Sequence, residues 1–222
     1  VSSPALPLPA VKRSFTVVVA AAMASTALSI DIMLPAFSDI RADLELAPDA
    51  PEVSGLLTAF FLGLSVAQVP MGVLSDRFGR KPVLWFGSAL FVTGAVLAAV
   101  STTLSLMLVA RFLWGVGAAG PRVVAIAMIR DVFEGASMAR AMSFVMAIFI
   151  VVPILAPTVG AGIVRLGSWR AVFGFCALAG VALAAAATTL PETLAPARRR
   201  PMSFRPTVAA ARSVVSEPRT LV

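Results

Sequence analysis

Gly72-Val73-Leu74-Ser75-Asp76-Arg77-Phe78-Gly79-Arg80-Lys81-Pro82 sets three bases, one acid and two glycines between two long apolar runs. A tether of that composition suits a tight hydrophilic turn at a membrane surface, joining two spanning helices. The flanking runs, about 53–74 and 82–100, are each long enough to cross a hydrocarbon core of ~30 Å as helix.

The rest of the chain repeats this pattern. Of 222 residues, 59% are hydrophobic and only 13% charged, and the mean hydropathy is +0.95. Soluble domains carry roughly 25% charged residues to stay dissolved, so this composition points to a polytopic membrane protein. Apolar runs fall at about 15–37, 53–74, 82–100, 104–129, 141–164 and 171–190. They lack the alternation of barrel strands, so the expected fold is all-α, with six transmembrane helices. Residues 1–13 read as a cytoplasmic N-terminal segment, 14–190 as the bundle, and 191–222 as a basic cytoplasmic linker. The first run follows Lys12 and Arg13 like a signal peptide, but it is longer, and no small-residue cleavage site follows it. It reads as a retained span.

Base placement predicts orientation. With the N-terminus inside, inner segments hold thirteen bases: Lys12, Arg13, Arg77, Arg80, Lys81, Arg130, Arg140 and six in the tail. Outer loops hold three, Arg41, Arg165 and Arg170. That bias puts both termini in the cytoplasm. The net charge of +7 is therefore a topology signal and not a nucleic-acid footprint. Histidine is absent and Cys176 is the single cysteine, which leaves no zinc-type ligand cluster and makes Cys176 a packing residue. There is no phosphate-binding GxxxxGK[ST] loop to take ATP and no nucleophile–base set, so no enzyme activity and no cofactor are expected.

Shifting the sequence by 88 residues lays Gly72, Arg77 and Gly79 on Gly160, Arg165 and Gly167. The shift is consistent with two inverted three-helix repeats, a known transporter architecture.

Several stretches resemble the major facilitator superfamily. Gly72-x-x-Ser75-Asp76-Arg77-x-Gly79-Arg80-Lys81 is similar to its signature loop between spans two and three. Arg111-x-x-x-Gly115-x-Gly117 resembles its proton-linked fourth-span motif, and Pro153-Ile154-Leu155-Ala156-Pro157-x-x-Gly160-x-Gly162 its fifth-span antiporter motif. Asp31-x-x-x-Pro35, Arg130-Asp131 and Gly167-Ser168-Trp169-Arg170-Ala171-Val172-Phe173 resemble the Bcr/CflA drug-resistance branch. Arg122, after Gly120-Pro121, departs from the fourth-span motif.

The resemblance implies a fold of twelve spans in two six-helix halves, with the cavity between them. This chain would be the N-terminal half, ending where span seven is expected. The implied partners are the bilayer, hydrophobic or cationic drugs, protons and a second six-helix half. The implied function is proton-coupled multidrug efflux by alternating access across a bacterial inner membrane, driven by the proton gradient. The alternatives are import of a small organic anion through Arg111 and Arg122, or an inactive fragment or non-transporting six-helix partner.

Particular residues carry these readings. Asp31 lies sixteen residues into the first span, ~24 Å from the inner end, and Arg111 lies ~10 Å into a span entered from outside. The two depths agree, so carboxylate and guanidinium are expected to face the interior and are placed to pair. Asp31 is the candidate proton carrier, or else a member of a permanent structural pair or a carboxyl satisfied by neighbouring backbone. Arg122, eleven residues after Arg111, shares its face. It either lines the inner half of the cavity or snorkels toward the interface. Gly72 is suited to close helix approach, and Asp76 to a facing helix N-terminus. The resemblance implies a cytoplasmic latch of Asp76, Arg80 and Asp131, with Arg77, Gly79, Lys81 and Arg130 around it. Pro153 and Pro157 are expected to bend span five, with Gly160 and Gly162 packing closely. Met33, Phe37, Phe60, Phe61, Gln68 and Met146 are either cavity lining or ordinary packing.

Overall fold

The computed structural model describes residues 10–47 and 51–199, with side chains from residue 14 onward. The Lys12 and Arg13 side chains, Asp49, and the tail from Arg200, with the amphipathic helix expected near 207–215, lie outside the described residues.

The described residues contain helices and no strand. α1 (Ala10–Asp31) leads through a 3-10 turn (Leu34–Ala36) to α2 (Phe37–Asp43). A second 3-10 turn (Pro51–Ser54) opens α3 (Gly55–Phe78), and α4 (Arg80–Ala99), α5 (Leu104–Val132), α6 (Gly135–Leu166) and α7 (Trp169–Ala187) follow. A last 3-10 turn spans Pro196–Arg198. Six stretches are long and apolar enough to cross a membrane, the first being α1 and α2 together, Ser14–Asp43.

The helices outrun their apolar runs. α3 continues to Phe78 and α5 to Val132, so Asp76, Arg77, Arg130 and Asp131 stand on helix ends. The tether narrows to Gly79, which ends α3 with φ 107° and ψ 165°. That φ lies where a Cβ is strained, which accounts for glycine.

The first span differs from one continuous helix. Proline at position 35 cannot donate to the Asp31 carbonyl, and α1 stops at Asp31. Asp31 and Pro35 therefore do not share one unbroken helical face. The other intramembrane prolines act more mildly. α6 stays helical through Pro153 and Pro157, as membrane helices can when neighbouring groups re-satisfy the freed carbonyls.

Three of the helix starts carry side-chain caps. Thr103 accepts from the Leu106 N–H at 3.3 Å, Ser168 accepts from the Arg170 N–H at 3.1 Å, and Glu134 and Ser137 form a reciprocal capping box.

α5 is the centre of the bundle, with 61% of its apolar window buried against 17% for α6. Its glycines make this possible. A Cβ on Gly115 would overlap the Phe60 carbonyl of α3, and one on Gly117 would overlap the Phe91 backbone of α4. Small residues at such crossings let backbones meet, and dispersion then holds the helices. Around them runs a chain of edge-to-face rings: Phe60–Trp114 at 6.2 Å, Phe91–Trp114 at 5.4 Å, Trp114–Phe173 at 5.8 Å and Trp169–Phe173 at 5.7 Å. Cys176 is buried in the same core, in keeping with a packing role.

Candidate functional site

Two polar constellations stand out, one at the Gly79 end of the bundle and one at the break in the first span.

At the Gly79 end, Arg80 is the hub. Its Nη1 donates to Asp76 Oδ1 at 2.6 Å and to Ser75 Oγ at 2.8 Å, and its Nε donates to Asp131 Oδ2 at 2.9 Å. The Arg80 side chain is 9% exposed, Asp131 16% and Asp76 44%. Arg80 and Asp131 thus form the inner pair, joining α4 to α5, and Asp76 keeps an open side. The three latch residues are brought together on the ends of three different helices.

Glu192 completes this cluster, although it falls in what reads from the sequence as a polar tail. Its Oε1 accepts from the Arg80 N–H at 2.9 Å and the Leu194 N–H at 3.0 Å, and its Oε2 accepts from the Lys81 N–H at 3.1 Å. A carboxylate here caps the donors of α4 and meets the positive end of its dipole. Lys81 does the converse, donating from Nζ to the carbonyls of Thr188 (2.7 Å) and Leu190 (2.9 Å) just beyond α7. Thr193 Oγ1 donates to Asp131 Oδ2 at 3.0 Å. A Cβ on Gly79 would displace the Glu192 carboxylate, and it is the φ of this residue that requires glycine. The signal for Glu192 is its proline-preceded position directly after a span, too local to reveal a partner more than 100 residues away.

The remaining residues of the signature play smaller parts. Arg77 stacks over Phe78, 5.5 Å to the ring centroid, and Arg130 is exposed. A Cβ on Gly72 would meet Val123 at an ordinary 3.7 Å. The close approach expected at Gly72 is thus not made within the described residues.

At the break, the expected pairing is replaced by another arrangement. Arg111 is fully buried and does not form a salt bridge with Asp31. Its Nη1 donates to the Ser29 carbonyl at 3.0 Å and its Nε to the Leu56 carbonyl at 3.3 Å. The guanidinium lies 4.7 Å from the Phe60 ring centroid and 4.8 Å from that of Trp114, within cation–π range. Ser29 is among the last residues of α1, whose terminal carbonyls lack intrahelical donors. Arg111 is thus a cationic cap on the C-terminal end of a broken helix. Asp31 sits two positions further on, ~200° around the helix from Ser29. The matched depth is right and the angular position is not. Asp31 is half-buried, with no hydrogen bond or ion pair among the described residues.

α6 holds the other side of the break. A Cβ on Gly160 would overlap the Ile32 carbonyl, the residue after Asp31. Nothing lies within 4 Å of a Cβ at Gly162, so of the two expected packing glycines only Gly160 is used inside this bundle. Pro157 and Pro153 stand half-buried about one and two turns before it. Hydroxyls of α1, unremarked in the sequence, add to the region. Ser25 Oγ donates to the Ala22 carbonyl at 2.9 Å, Ser29 Oγ to Ser25 O at 2.7 Å, and Thr26 Oγ1 to the Ala118 carbonyl of α5 at 3.4 Å. Arg122 lies over Phe149 of α6 at 5.4 Å, half-buried. Of the cavity candidates, Met33 and Phe60 are core residues and Phe61 is 44% exposed. Phe37, Gln68 and Met146 are half-buried.

The opposite end of the bundle has a clasp of its own. Arg170 Nη1 pairs with Asp43 Oδ2 at 2.7 Å, and its Nη2 donates to the Ser101 carbonyl at 3.3 Å. Both charged side chains are well exposed, so the pair contributes little stability by itself.

Six membrane-length helices, the first of them broken at Asp31, define a multi-pass membrane protein. The sequence pattern of the Major Facilitator Superfamily matches residues 18–221, and the chain belongs to that family. It is similar to a bicyclomycin resistance protein homolog of Haemophilus influenzae, 33% identical over 177 residues, covering 78% of this chain and 43% of that one. It is also 31% identical over 187 residues to the multidrug resistance protein MdtL of Salmonella typhi, covering 84% and 47%. Among solved structures, the proton:xylose symporter XylE superposes with a TM-score of 0.74 at 16% identity, over 82% of this chain and 45% of that one. The chain spans less than half the length of the relatives it matches.

Proposed function

We propose that this chain supplies the N-terminal six-helix half of a proton-coupled multidrug exporter of a bacterial inner membrane, with both termini cytoplasmic. The observation that carries the reading is Asp31. It is a half-buried carboxyl without a cationic partner among the described residues, at a helix break held on one side by Arg111 and on the other by Gly160. An ionisable group in that setting exchanges protons when its surroundings change between water and a bound ligand.

Alternating access rocks this half against a second six-helix half around a cavity near the midplane. Protonation of Asp31 from the outer side releases a cationic or hydrophobic drug, and deprotonation to the inner side restores the carboxylate that receives the next one. Arg111 and Gly160 hold the backbone on which Asp31 stands. The Asp76–Arg80–Asp131 latch, with Glu192 behind it, holds the inner end closed, and the open side of Asp76 faces a helix N-terminus of the second half. The proton gradient supplies the energy, without nucleotide or cofactor. The names of the similar resistance proteins support drugs as substrates. Import of an organic anion is less well supported, because Arg111 has no exposed surface to offer a substrate.

The test is transport of a lipophilic cation by membrane vesicles carrying the complete transporter, with and without an imposed pH gradient. Accumulation that follows the gradient, and its loss in Asp31→Asn, is the expected outcome. Equal transport after the gradient is collapsed by an ionophore overturns the coupling.

A further inference from the structure

The Gly79 end of the bundle carries a pocket that the latch does not use. It has a volume of about 550 Å³ and is lined by Lys81, Pro82, Trp85, Glu192 and Arg199. A second hollow of about 290 Å³ lies between α3 and α4, lined by Leu74, Phe78, Pro82, Val83 and Phe86. Pro82 lines both, so a largely apolar pocket bordered by Lys81, Glu192 and Arg199 adjoins an apolar hollow.

The charges in the pocket are unbalanced. Glu192 is its acid, but both carboxylate oxygens are engaged by the N–H groups of Arg80, Lys81 and Leu194. The two cations are less committed. Lys81 directs two of its three ammonium donors to Thr188 and Leu190, which leaves one. Arg199 is exposed, and its guanidinium forms no ion pair or hydrogen bond among the described residues. Trp85, one turn into α4, is 47% exposed and its neighbour Phe86 52%. An exposed indole beside bases at a span end is the signature of headgroup depth in a bilayer.

We infer that this pocket and hollow bind one anionic glycerophospholipid, with its phosphate between Lys81 and Arg199 and an acyl chain along Leu74, Phe78 and Phe86. Basic pockets at span ends attract anionic headgroups in this way. A lipid suits the site better than a soluble anion, because its acyl chain is tethered to the headgroup and fills the adjoining apolar hollow at the same time. Lipid here touches Lys81 and Arg199 beside Glu192, so the bound headgroup stiffens the Gly79 end. The inference is independent of what the protein transports.

The test is native mass spectrometry of the full chain released from micelles loaded with equal phosphatidylglycerol and phosphatidylcholine. One phosphatidylglycerol is expected to be retained preferentially. Arg199→Gln, a change at an exposed side chain, is expected to lower that retention about fivefold, Arg199→Lys to restore most of it, and Arg165→Gln, at the other end of the bundle, to leave it unaltered. Equal retention of the two lipids, or no effect of Arg199→Gln, overturns the inference. Inorganic phosphate that displaces the lipid at millimolar concentration shows a soluble-anion site and overturns it too.

Discussion

Replacing Arg111 by alanine removes two hydrogen bonds to helix carbonyls and two ring contacts, and it opens a cavity in the centre of the bundle. The expected cost is about 3 kcal/mol, read as a lower thermal midpoint in detergent. Arg111→Lys is expected to recover less than half of it, because an ammonium lacks the planar fork that reaches the Ser29 and Leu56 carbonyls together. Asp31→Asn, by contrast, leaves the midpoint nearly unaltered, since Asp31 has no partner to lose among the described residues. Arg111 and Asp31 were legible in the sequence as ionisable residues inside apolar runs, and their depth followed from helical rise. Their angular relation was not legible, because it depends on where the first span breaks and on how α1 is rotated against α5. Glu192 was hidden for a related reason. Its three donors belong to backbone groups of α4 and of its own strap, and no spacing rule reports a backbone partner.

At the scale of the helix, the account turns on the contact between α6 and the break. Gly160→Ala drives a methyl into the Ile32 carbonyl, and overpacking of this kind costs about 1–3 kcal/mol. Gly162→Ala meets nothing within 4 Å and is expected to leave the bundle unaltered or to stabilise it by roughly 0.5 kcal/mol. Measuring both midpoints side by side checks the contact, and equal losses at the two sites contradict it. Glu192→Ala uncaps α4, at a cost of about 1 kcal/mol. Faster hydrogen exchange of the first amides of α4 is the expected readout. The six spans were legible from their apolar runs, and their order follows from the chain. The length of α3 and α5 beyond those runs was not, because helix continues into the charged border wherever its own hydrogen bonds suffice. Nor did composition separate Pro35, where the helix stops, from Pro153 and Pro157, where it does not.

For the whole molecule, one end is tied by a buried hub and the other by an exposed clasp. Arg80→Ala leaves Asp131, 16% exposed, without its cation, and removal of one member of such a pair costs about 3 kcal/mol. Arg170→Ala breaks a pair exposed on both sides and is expected to cost under ~1 kcal/mol. That asymmetry suits the proposed alternating access, in which one end is held shut more firmly than the other. Family membership was legible because the signature loop, the fourth-span arginine motif and the fifth-span proline–glycine motif are each a short local run. What Arg111 and Gly160 meet was not, since each lies against the backbone of a distant segment. The most direct test of the proton-carrier reading is proton release. Purified complete transporter in weakly buffered detergent, with a pH indicator, is mixed with a lipophilic cation such as tetraphenylphosphonium. The wild type is predicted to release about one proton per cation bound, as ligand displaces the proton from a single carboxyl, and Asp31→Asn to release none. Release of the same size from Asp31→Asn would contradict the assignment of Asp31 as the exchanging group.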